Sequence, residues 1–230
     1  MKKVYQQKAD SFGIIVEEPT TNISNFDPIL FQYYQELKKR RIVINEEIDE
    51  NFFNFVTLPL RNMLEDGSNQ PVEILLNTPG GSLIDALSVC DIIDQAKSEI
   101  IITVTTYAYS MGALILMAGY NNPNVHKRCY PSSLAMVHDG QIDLQGKGSA
   151  VRDTYDFYKR LEERIKSYVI SHSKIDEKFY QQIRDKELYL FSDEMLKYGL
   201  VNEIIGQEAS ITTTNKRTRI RNYTPKKRTK

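Results

Sequence analysis

A serine, Ser110, stands where an apolar, β-branched segment gives way to a run of small and apolar residues of helical length. Residues 100–109 are typical of a buried strand, and residues 111–119 of a buried helix. Serine at such a junction often caps the helix, because its hydroxyl accepts hydrogen bonds from free N–H groups of the first turn. It can also be a nucleophile, because those N–H groups and the helix dipole favour an oxyanion. The junction alone leaves both interpretations open.

The sequence offers three histidines as a general base for Ser110. His126 is assigned to an Asn/Pro-rich loop, which indicates a solvated surface residue. His172 ends a long predicted helix, where an imidazolium would complement the helix dipole. His138 alone follows a predicted strand, at residues 134–137, and it is the candidate base, with an ordinary core histidine as the alternative.

A Pro-Gly-Gly segment, Pro79-Gly80-Gly81, follows another predicted strand at residues 72–76. A plain turn is the common role of Pro-Gly. Alternatively, the missing side chains let backbone N–H groups approach a substrate carbonyl. The residues around Ser110 lack the first glycine of the G-x-S-x-G elbow, which disfavours an α/β-hydrolase.

The order of predicted elements places these residues at one edge of a sheet. Strands alternate with helices such as residues 83–96, which favours right-handed βαβ crossovers and a parallel sheet. Parallel strands end at the same edge, where open α/β sheets bind their ligands. We therefore expect Gly80, Gly81, Ser110 and His138 to converge there.

The other predicted elements complete an α/β domain. They are helices at 31–41, 46–65, 151–172, 176–185 and 193–198, strands at 42–44 and 188–191, and a hairpin or edge strand in the glycine-rich segment 139–148. Pro59 should kink or divide its helix, because it removes a donor and crowds the preceding turn. The helix at 151–172 carries an apolar stripe for which we favour core packing, with a subunit interface as the alternative. The stripe comprises Tyr155, Tyr158, Leu161, Ile165, Tyr168 and Val169.

Charge and composition divide the 230 residues into one domain and two tails. Residues 1–28 show no sustained periodicity and are expected to form a flexible N-terminal arm, followed by a domain at 29–208. Residues 209–230 should be a disordered basic tail, since from Lys216 onward every charged residue is basic. The formal net charge of the chain is zero, so the body is acidic, and we expect no nucleic-acid partner.

The sequence also bears on compartment and cofactors. Cys90 and Cys129 have no metal-ligand or CxxC spacing, which favours reduced thiols in a cytoplasmic protein without a metal or other cofactor. Residues 4–10 are too polar for the core of a signal peptide. The apolar run at 110–119 is too short to span a bilayer, so no membrane association is expected.

Four motifs occur in the order in which one known family has them. They are Asn77-Thr78-Pro79-Gly80-Gly81-Ser82, Tyr109-Ser110-Met111-Gly112-Ala113, Met136-Val137-His138, and Glu194 with Tyr198-Gly199-Leu200-Val201. Over residues 33–205 the chain resembles the proteolytic subunits of the Clp protease, the S14 serine peptidases. The resemblance implies a single α/β domain of the ClpP/crotonase type, built from stacked ββα units.

The resemblance also implies roles for individual residues. Ser110 matches the family nucleophile and His138 its base, and the backbone N–H groups of Gly81 and Met111 match its oxyanion hole. The family's Gln-Pro after the histidine is replaced here by Asp-Gly, in the loop that binds extended substrate.

The third member of the implied triad differs from the family pattern. Aligned without gaps to the Tyr-Gly-Leu-Val motif, the family's aspartate falls on Glu187, which is one methylene longer. A glutamate can orient a histidine, as Ser-His-Glu triads do. Asp185 is the alternative acid.

The resemblance implies a cytoplasmic, ATP-dependent serine endopeptidase that hydrolyses unfolded polypeptides inside a compartment. The family assembles as heptameric rings, stacked as a tetradecamer, and works with a hexameric AAA+ unfoldase. One alternative is a catalytically inactive ClpP-like ring or scaffold subunit. Another is a crotonase-type acyl-CoA enzyme, which would give Ser110 and His138 no natural role.

Overall fold

Strands and helices alternate along residues 27–140, 144–184 and 186–207, the part of the chain that the computed structural model describes. The helices are α1 (Pro28–Lys38), α2 (Leu58–Glu65), α3 (Leu83–Asp94), α4 (Met111–Met117), α5 (Gly148–Ser171), α6 (Glu177–Ile183) and α7 (Ser192–Lys197). The strands are β1 (Arg41–Ile44), β2 (Val72–Thr78), β3 (Ile100–Tyr109), β4 (Val125–Cys129), β5 (Leu134–Val137), β6 (Leu188–Phe191) and β7 (Glu203–Ile204). A π-helical turn, Phe53–Thr57, precedes α2.

The long strand β3 joins two parts of the sheet. The path β1-β2-β3-β4-β7 is parallel throughout, and β4 pairs with the first half of β3. The second half of β3 pairs in parallel with β5, and β6 adds to β5 in the antiparallel direction. The predicted α/β fold with a mostly parallel sheet is therefore confirmed.

Strand β2 and helix α4 contribute much of the hydrophobic core. On β2, Val72, Ile74 and Leu76 alternate with half-buried residues, so one face of the strand is fully buried. Every residue of α4 is buried, as expected of a helix that is apolar on all sides. Burial of each such Leu or Ile side chain contributes about 1.5–3 kcal/mol of transfer free energy. The β3–α4 junction is thus anchored by a helix that is buried on all sides.

Helix α1 begins three residues before the predicted start. Asp27 caps it through Oδ1, which accepts hydrogen bonds from the N–H groups of Ile29 (2.9 Å) and Leu30 (3.1 Å). Pro28 follows in the first helical turn, where its missing N–H costs nothing. The predicted boundary at residue 28 therefore falls inside the first turn of a helix.

Pro59 does not divide its helix into two, since Thr57 and Leu58 both keep α-helical dihedral angles; instead a π-helical turn changes to α2 beside it, and the segment begins at residue 53 and not at 46. The ring of Pro59 has no N–H to offer the carbonyl of Phe55, four residues earlier. That carbonyl accepts a hydrogen bond from the hydroxyl of Tyr33 instead, at 3.1 Å. The carbonyl without an N–H partner thus lies in the π-helical turn that precedes α2.

Two sequence interpretations are wrong. His126 lies on β4 and not in a loop, and its Nε2 is 2.9 Å from a carboxylate oxygen of Glu203. Core packing of the stripe on α5 fails for the first half of the helix, where no side chain is buried and Tyr155 is 52% exposed. Only the C-terminal end packs on the core, through Ile165, Tyr168 and Val169.

Several predictions concern residues that the structure does not describe. These are residues 1–26 of the predicted arm, residues 141–143 of the glycine-rich segment and the tail at 209–230.

Within the described ranges, no helix is both long and apolar enough to cross a membrane. Cys90 and Cys129 are buried free thiols, and burial raises the pKa of Cys90 to about 12 and that of Cys129 to about 11.

One lysine is almost completely buried. Lys127 on β4 is 1% exposed, and its Nζ donates a hydrogen bond to the carbonyl of Met117 at 3.2 Å. The Nζ also lies 5.4 Å from the ring centre of Tyr120. Burial lowers the pKa of Lys127 to about 8, although the charge of Asp94 acts in the opposite direction.

Replacing Lys127 should therefore change how stability depends on pH. Between about pH 8 and pH 10.4 the unfolded chain binds more protons than the folded chain, so this residue makes stability rise with pH. We expect Lys127→Met to remove that rise and to stabilise the protein by about 1 kcal/mol at pH 7. Thermal unfolding from pH 7 to 10.5 measures both effects. The exposed Lys178→Met serves as the control, and an unchanged rise in Lys127→Met would contradict the assignment.

Candidate active site

Ser110 occupies the single residue between β3 and α4 and has a strained backbone. Its φ is 51° and its ψ is −118°, a region that residues with a Cβ rarely adopt. Such strain costs about 1–3 kcal/mol and is found mainly at functional sites. The side chain makes no capping hydrogen bond to α4, so the helix-cap interpretation is wrong.

The hydroxyl of Ser110 contacts His138 instead. His138 Nε2 lies 2.9 Å from Ser110 Oγ, and both residues are partly buried. In the tautomer with its proton on Nδ1, the ring accepts a hydrogen bond from the hydroxyl through Nε2. This is the contact that a general base needs in order to remove the proton of a serine nucleophile.

Pairing between β3 and β5 sets this distance. Tyr109 is opposite Met136 in the parallel register, and the backbone N–H of Ser110 donates to the carbonyl of Met136 at 2.8 Å. His138 comes two residues later, just beyond the end of β5. The serine and the histidine therefore lie at the carboxyl ends of neighbouring parallel strands, where the sequence predicts them.

The glycines that follow β2 lie against the same junction. A Cβ on Gly80 would be 2.7 Å from the Cβ of Ser110 and 3.0 Å from the backbone nitrogen of Met111, so only glycine fits. The side chain of Thr78 fixes this turn, because its Oγ1 accepts from the Gly80 N–H at 3.1 Å and donates to the carbonyl of Glu46 at 2.5 Å.

Ile48 determines the direction of the next amide. Its N–H donates to the carbonyl of Gly80 (2.8 Å), and its carbonyl accepts from the N–H of Ser82 (2.7 Å). In such a parallel bridge the intervening residue, Gly81, directs its N–H away from Ile48. Gly81 itself has a φ of 139°. Its amide is therefore not used in pairing with Ile48.

The first turn of α4 supplies a second amide. Within the described part of the chain, no hydrogen bond involves the N–H of Met111, whereas the N–H of Ala113 donates to the carbonyl of Ser110 at 2.9 Å. The side chain of Met111 is buried. An uncommitted N–H at a helix start, beside a hydroxyl bonded to an imidazole, suits acyl transfer.

No acid completes a triad among the described residues, since no carboxylate oxygen lies within 4.0 Å of either ring nitrogen of His138. The carboxylate of Glu187 accepts a hydrogen bond from the hydroxyl of Tyr189 at 2.8 Å. Asp139 accepts from the hydroxyl of Tyr180 at 3.1 Å. Asp185 lies outside the described residues.

Sequence reasoning assigned no role to three residues beside the site, which are Tyr189, Thr78 and Ile48. The ring centre of Tyr109 lies 4.8 Å from that of Tyr107 and 5.9 Å from that of Tyr189, which meets it edge to face. Tyr189 has a signal that could have been used, because it stands two residues after Glu187 on a predicted strand and so shares its face. The contact of Thr78 with Glu46 and those of Ile48 with the glycine turn have no such signal, since Glu46 and Ile48 lie about thirty residues earlier in the chain.

Within the described ranges, no group of three or more His, Cys, Asp or Glu residues is arranged to hold a metal ion. The functional groups that the described residues bring together are one hydroxyl, one imidazole and the backbone amides beside them.

Comparisons with known proteins found a matching family model and a similar curated protein. Residues 27–208 match the family model described as Clp protease. Among curated proteins, the chain is similar to the ATP-dependent Clp protease proteolytic subunit 1 of Salinibacter ruber, with 25% identity over 193 residues. That alignment covers 84% of this chain and 80% of the relative.

Proposed function

The chain belongs to the Clp protease family and is a ClpP-like peptidase, and on that premise we propose that it is a serine endopeptidase acting on unfolded polypeptides. The contact of 2.9 Å between Ser110 Oγ and His138 Nε2 carries this proposal. It is supported by the strained backbone of Ser110, which holds the hydroxyl outside the helix cap.

In the proposed mechanism Ser110 is the nucleophile and His138 the general base. Ser110 Oγ attacks the carbonyl carbon of the scissile peptide while His138 Nε2 takes the hydroxyl proton. The N–H groups of Gly81 and Met111 stabilise the negative charge that develops on the carbonyl oxygen. His138 then donates its proton to the leaving amine, and an acyl-enzyme remains on Ser110. A water molecule, deprotonated by His138, attacks the acyl-enzyme, the bond from the acyl carbon to Ser110 Oγ breaks, the acid fragment leaves, and His138 returns its proton to Ser110 Oγ.

Glu187 is the proposed acid that orients His138. Its position beside β6, which pairs with β5, supports this role, although its carboxylate contacts Tyr189 in this structure. A carboxylate on Nδ1 would hold the ring in the tautomer that leaves Nε2 free to accept the serine proton. Asp185 remains the alternative acid.

The proposal includes assembly into a cytoplasmic compartment of two stacked heptameric rings. Support comes from large apolar side chains that a single chain leaves exposed on two helices, which indicates an interaction surface. They are Ile29, Leu30 and Phe31 on α1, and Tyr155 and Phe157 on α5. The relative from Salinibacter ruber is named as ATP-dependent, and on this basis we propose an AAA+ unfoldase as the partner that delivers polypeptides.

An inactive ring or scaffold subunit is the second candidate. The separation of Glu187 from His138 favours it, because an unsupported imidazole is a poorer base. The intact hydrogen bond between Ser110 and His138 argues against it.

A serine-directed fluorophosphonate probe tests the proposed function. We expect the wild-type protein to be labelled at Ser110 and to hydrolyse an unfolded polypeptide, and Ser110→Ala to do neither. Ser82→Ala is the matched control, because Ser82 stands at the start of α3 beside the same site and makes no capping hydrogen bond. Equal labelling of wild type and Ser110→Ala would refute the nucleophile. Assembly without labelling or hydrolysis would support the scaffold.

A further inference from the structure

The contact between Tyr189 and Glu187 indicates how the proposed acid is controlled. We propose that the Tyr189 hydroxyl holds the Glu187 carboxylate away from His138, so that the site rests as a Ser–His pair and gains its acid when this hydrogen bond opens. Tyr189 is then a positioning residue that acts through Glu187. The inference rests on the proposed function, since it assumes that Ser110 and His138 perform the chemistry.

The register of β5 and β6 places Glu187 beside His138. The antiparallel ladder runs from the pair Leu134 and Phe191 to the pair Val137 and Leu188. Continued by one step beyond the ladder, the same register would set residue 187 opposite residue 138. The Cβ atoms of directly opposed residues in such a ladder are about 4.5–5.5 Å apart. A glutamate at this position can reach the imidazole by side-chain rotation, without movement of the backbone.

The side chain of Glu187 is nevertheless held by a different partner. Tyr189 stands two residues later, on the same face of the strand, and its hydroxyl donates to Glu187 Oε2 at 2.8 Å. This hydrogen bond raises the pKa of the Tyr189 phenol. The phenol and the imidazole therefore compete for a single carboxylate.

Tyr189 is also placed to respond to a substrate. It is 51% exposed, and its ring meets the ring of Tyr109, the residue before Ser110, edge to face at 5.9 Å. A peptide bound beside Ser110 would lie against these two rings. Displacement of the Tyr189 ring would break the hydrogen bond and release the carboxylate toward His138.

Removing one hydroxyl tests the inference. Tyr189→Phe keeps the ring but cannot hold the carboxylate, so we expect kcat for hydrolysis of an unfolded peptide to rise roughly 3- to 10-fold, with KM unchanged within about twofold. Tyr130→Phe removes the hydroxyl of another exposed tyrosine and should leave both constants unchanged. Glu187→Gln should lower kcat at least about 100-fold. Adding Tyr189→Phe to Glu187→Gln should then change nothing, because the hydroxyl acts only through the carboxylate.

The outcomes separate this inference from the proposed function. If the wild type reacts with the fluorophosphonate and cleaves peptide, but Tyr189→Phe has an equal or lower kcat, the inference fails and the proposed function stands. Wild-type kcat in Glu187→Gln overturns the inference as well, because the acid would lie elsewhere. Hydrolysis that appears only in Tyr189→Phe supports it. The absence of hydrolysis and labelling in every variant, Tyr189→Phe included, overturns both.

Discussion

His138→Ala is expected to lower kcat/KM for peptide hydrolysis by at least about 1,000-fold while leaving the folded protein intact. His138 Nε2 lies 2.9 Å from Ser110 Oγ and would be the only group to carry the proton from the serine to the leaving amine. The side chain is partly buried at the end of β5 and is not among the core hydrophobic residues, so its loss should cost little stability. Steady-state kinetics with an unfolded peptide, together with a thermal unfolding curve, measures the two effects separately.

His126 provides a matched control for this variant. It also lies at 2.9 Å from a hydrogen-bonding oxygen, but that oxygen belongs to Glu203 on the neighbouring strand β7. We expect His126→Ala to change kcat/KM less than twofold. Comparable losses in His126→Ala and His138→Ala would mean that removal of either imidazole acts through stability, and the role of His138 as the base would be wrong.

The sheet could be predicted where the sequence is apolar. The residue types at 100–109 and in the run after Ser110 leave few alternatives to a buried strand followed by a buried helix. The position of the junction between them follows directly. The position of His138 follows from the rule that parallel strands end at one edge, and the structure agrees.

Polar elements could not be predicted in the same way. The strand β4 has the sequence Val-His-Lys-Arg-Cys, and its buried residues are Val125, Lys127 and Cys129. Because the central buried residue is a lysine between two other basic residues, the sequence shows no alternation of apolar and polar residues. The stripe on α5 has the spacing of a core helix, and periodicity cannot distinguish a core from a surface that another subunit covers.

The fine geometry of the site depends on contacts that no local pattern encodes. The positive φ of Ser110 requires the room that Gly80 leaves beside it, and these two residues are thirty positions apart. The resemblance to the family predicts Glu187 as the acid, whereas the partner of its carboxylate depends on a side-chain rotamer. Sequence therefore locates the residues of the candidate site more reliably than their hydrogen bonds.

Gly81→Ala is expected to destabilise the protein by roughly 2–5 kcal/mol and to lower kcat/KM at least about 100-fold. A Cβ on Gly81 would lie 2.3 Å from the carbonyl oxygen of Ile48 and 2.8 Å from its nitrogen, both of which are backbone atoms in hydrogen bonds. The φ of 139° is also unfavourable for alanine. The backbone must therefore move, and the proposed oxyanion-hole amide moves with it.

Gly148→Ala separates this effect from the general cost of replacing a glycine. A Cβ at Gly148 meets no atom within 4 Å, and the residue starts α5, where alanine is the better helix former. Thermal unfolding and peptide hydrolysis should both be close to wild type in this variant. If Gly81→Ala were destabilised but kept the wild-type kcat/KM in its folded fraction, the amide of Gly81 would not stabilise the oxyanion. The Ile48 contact would then serve only to support the turn.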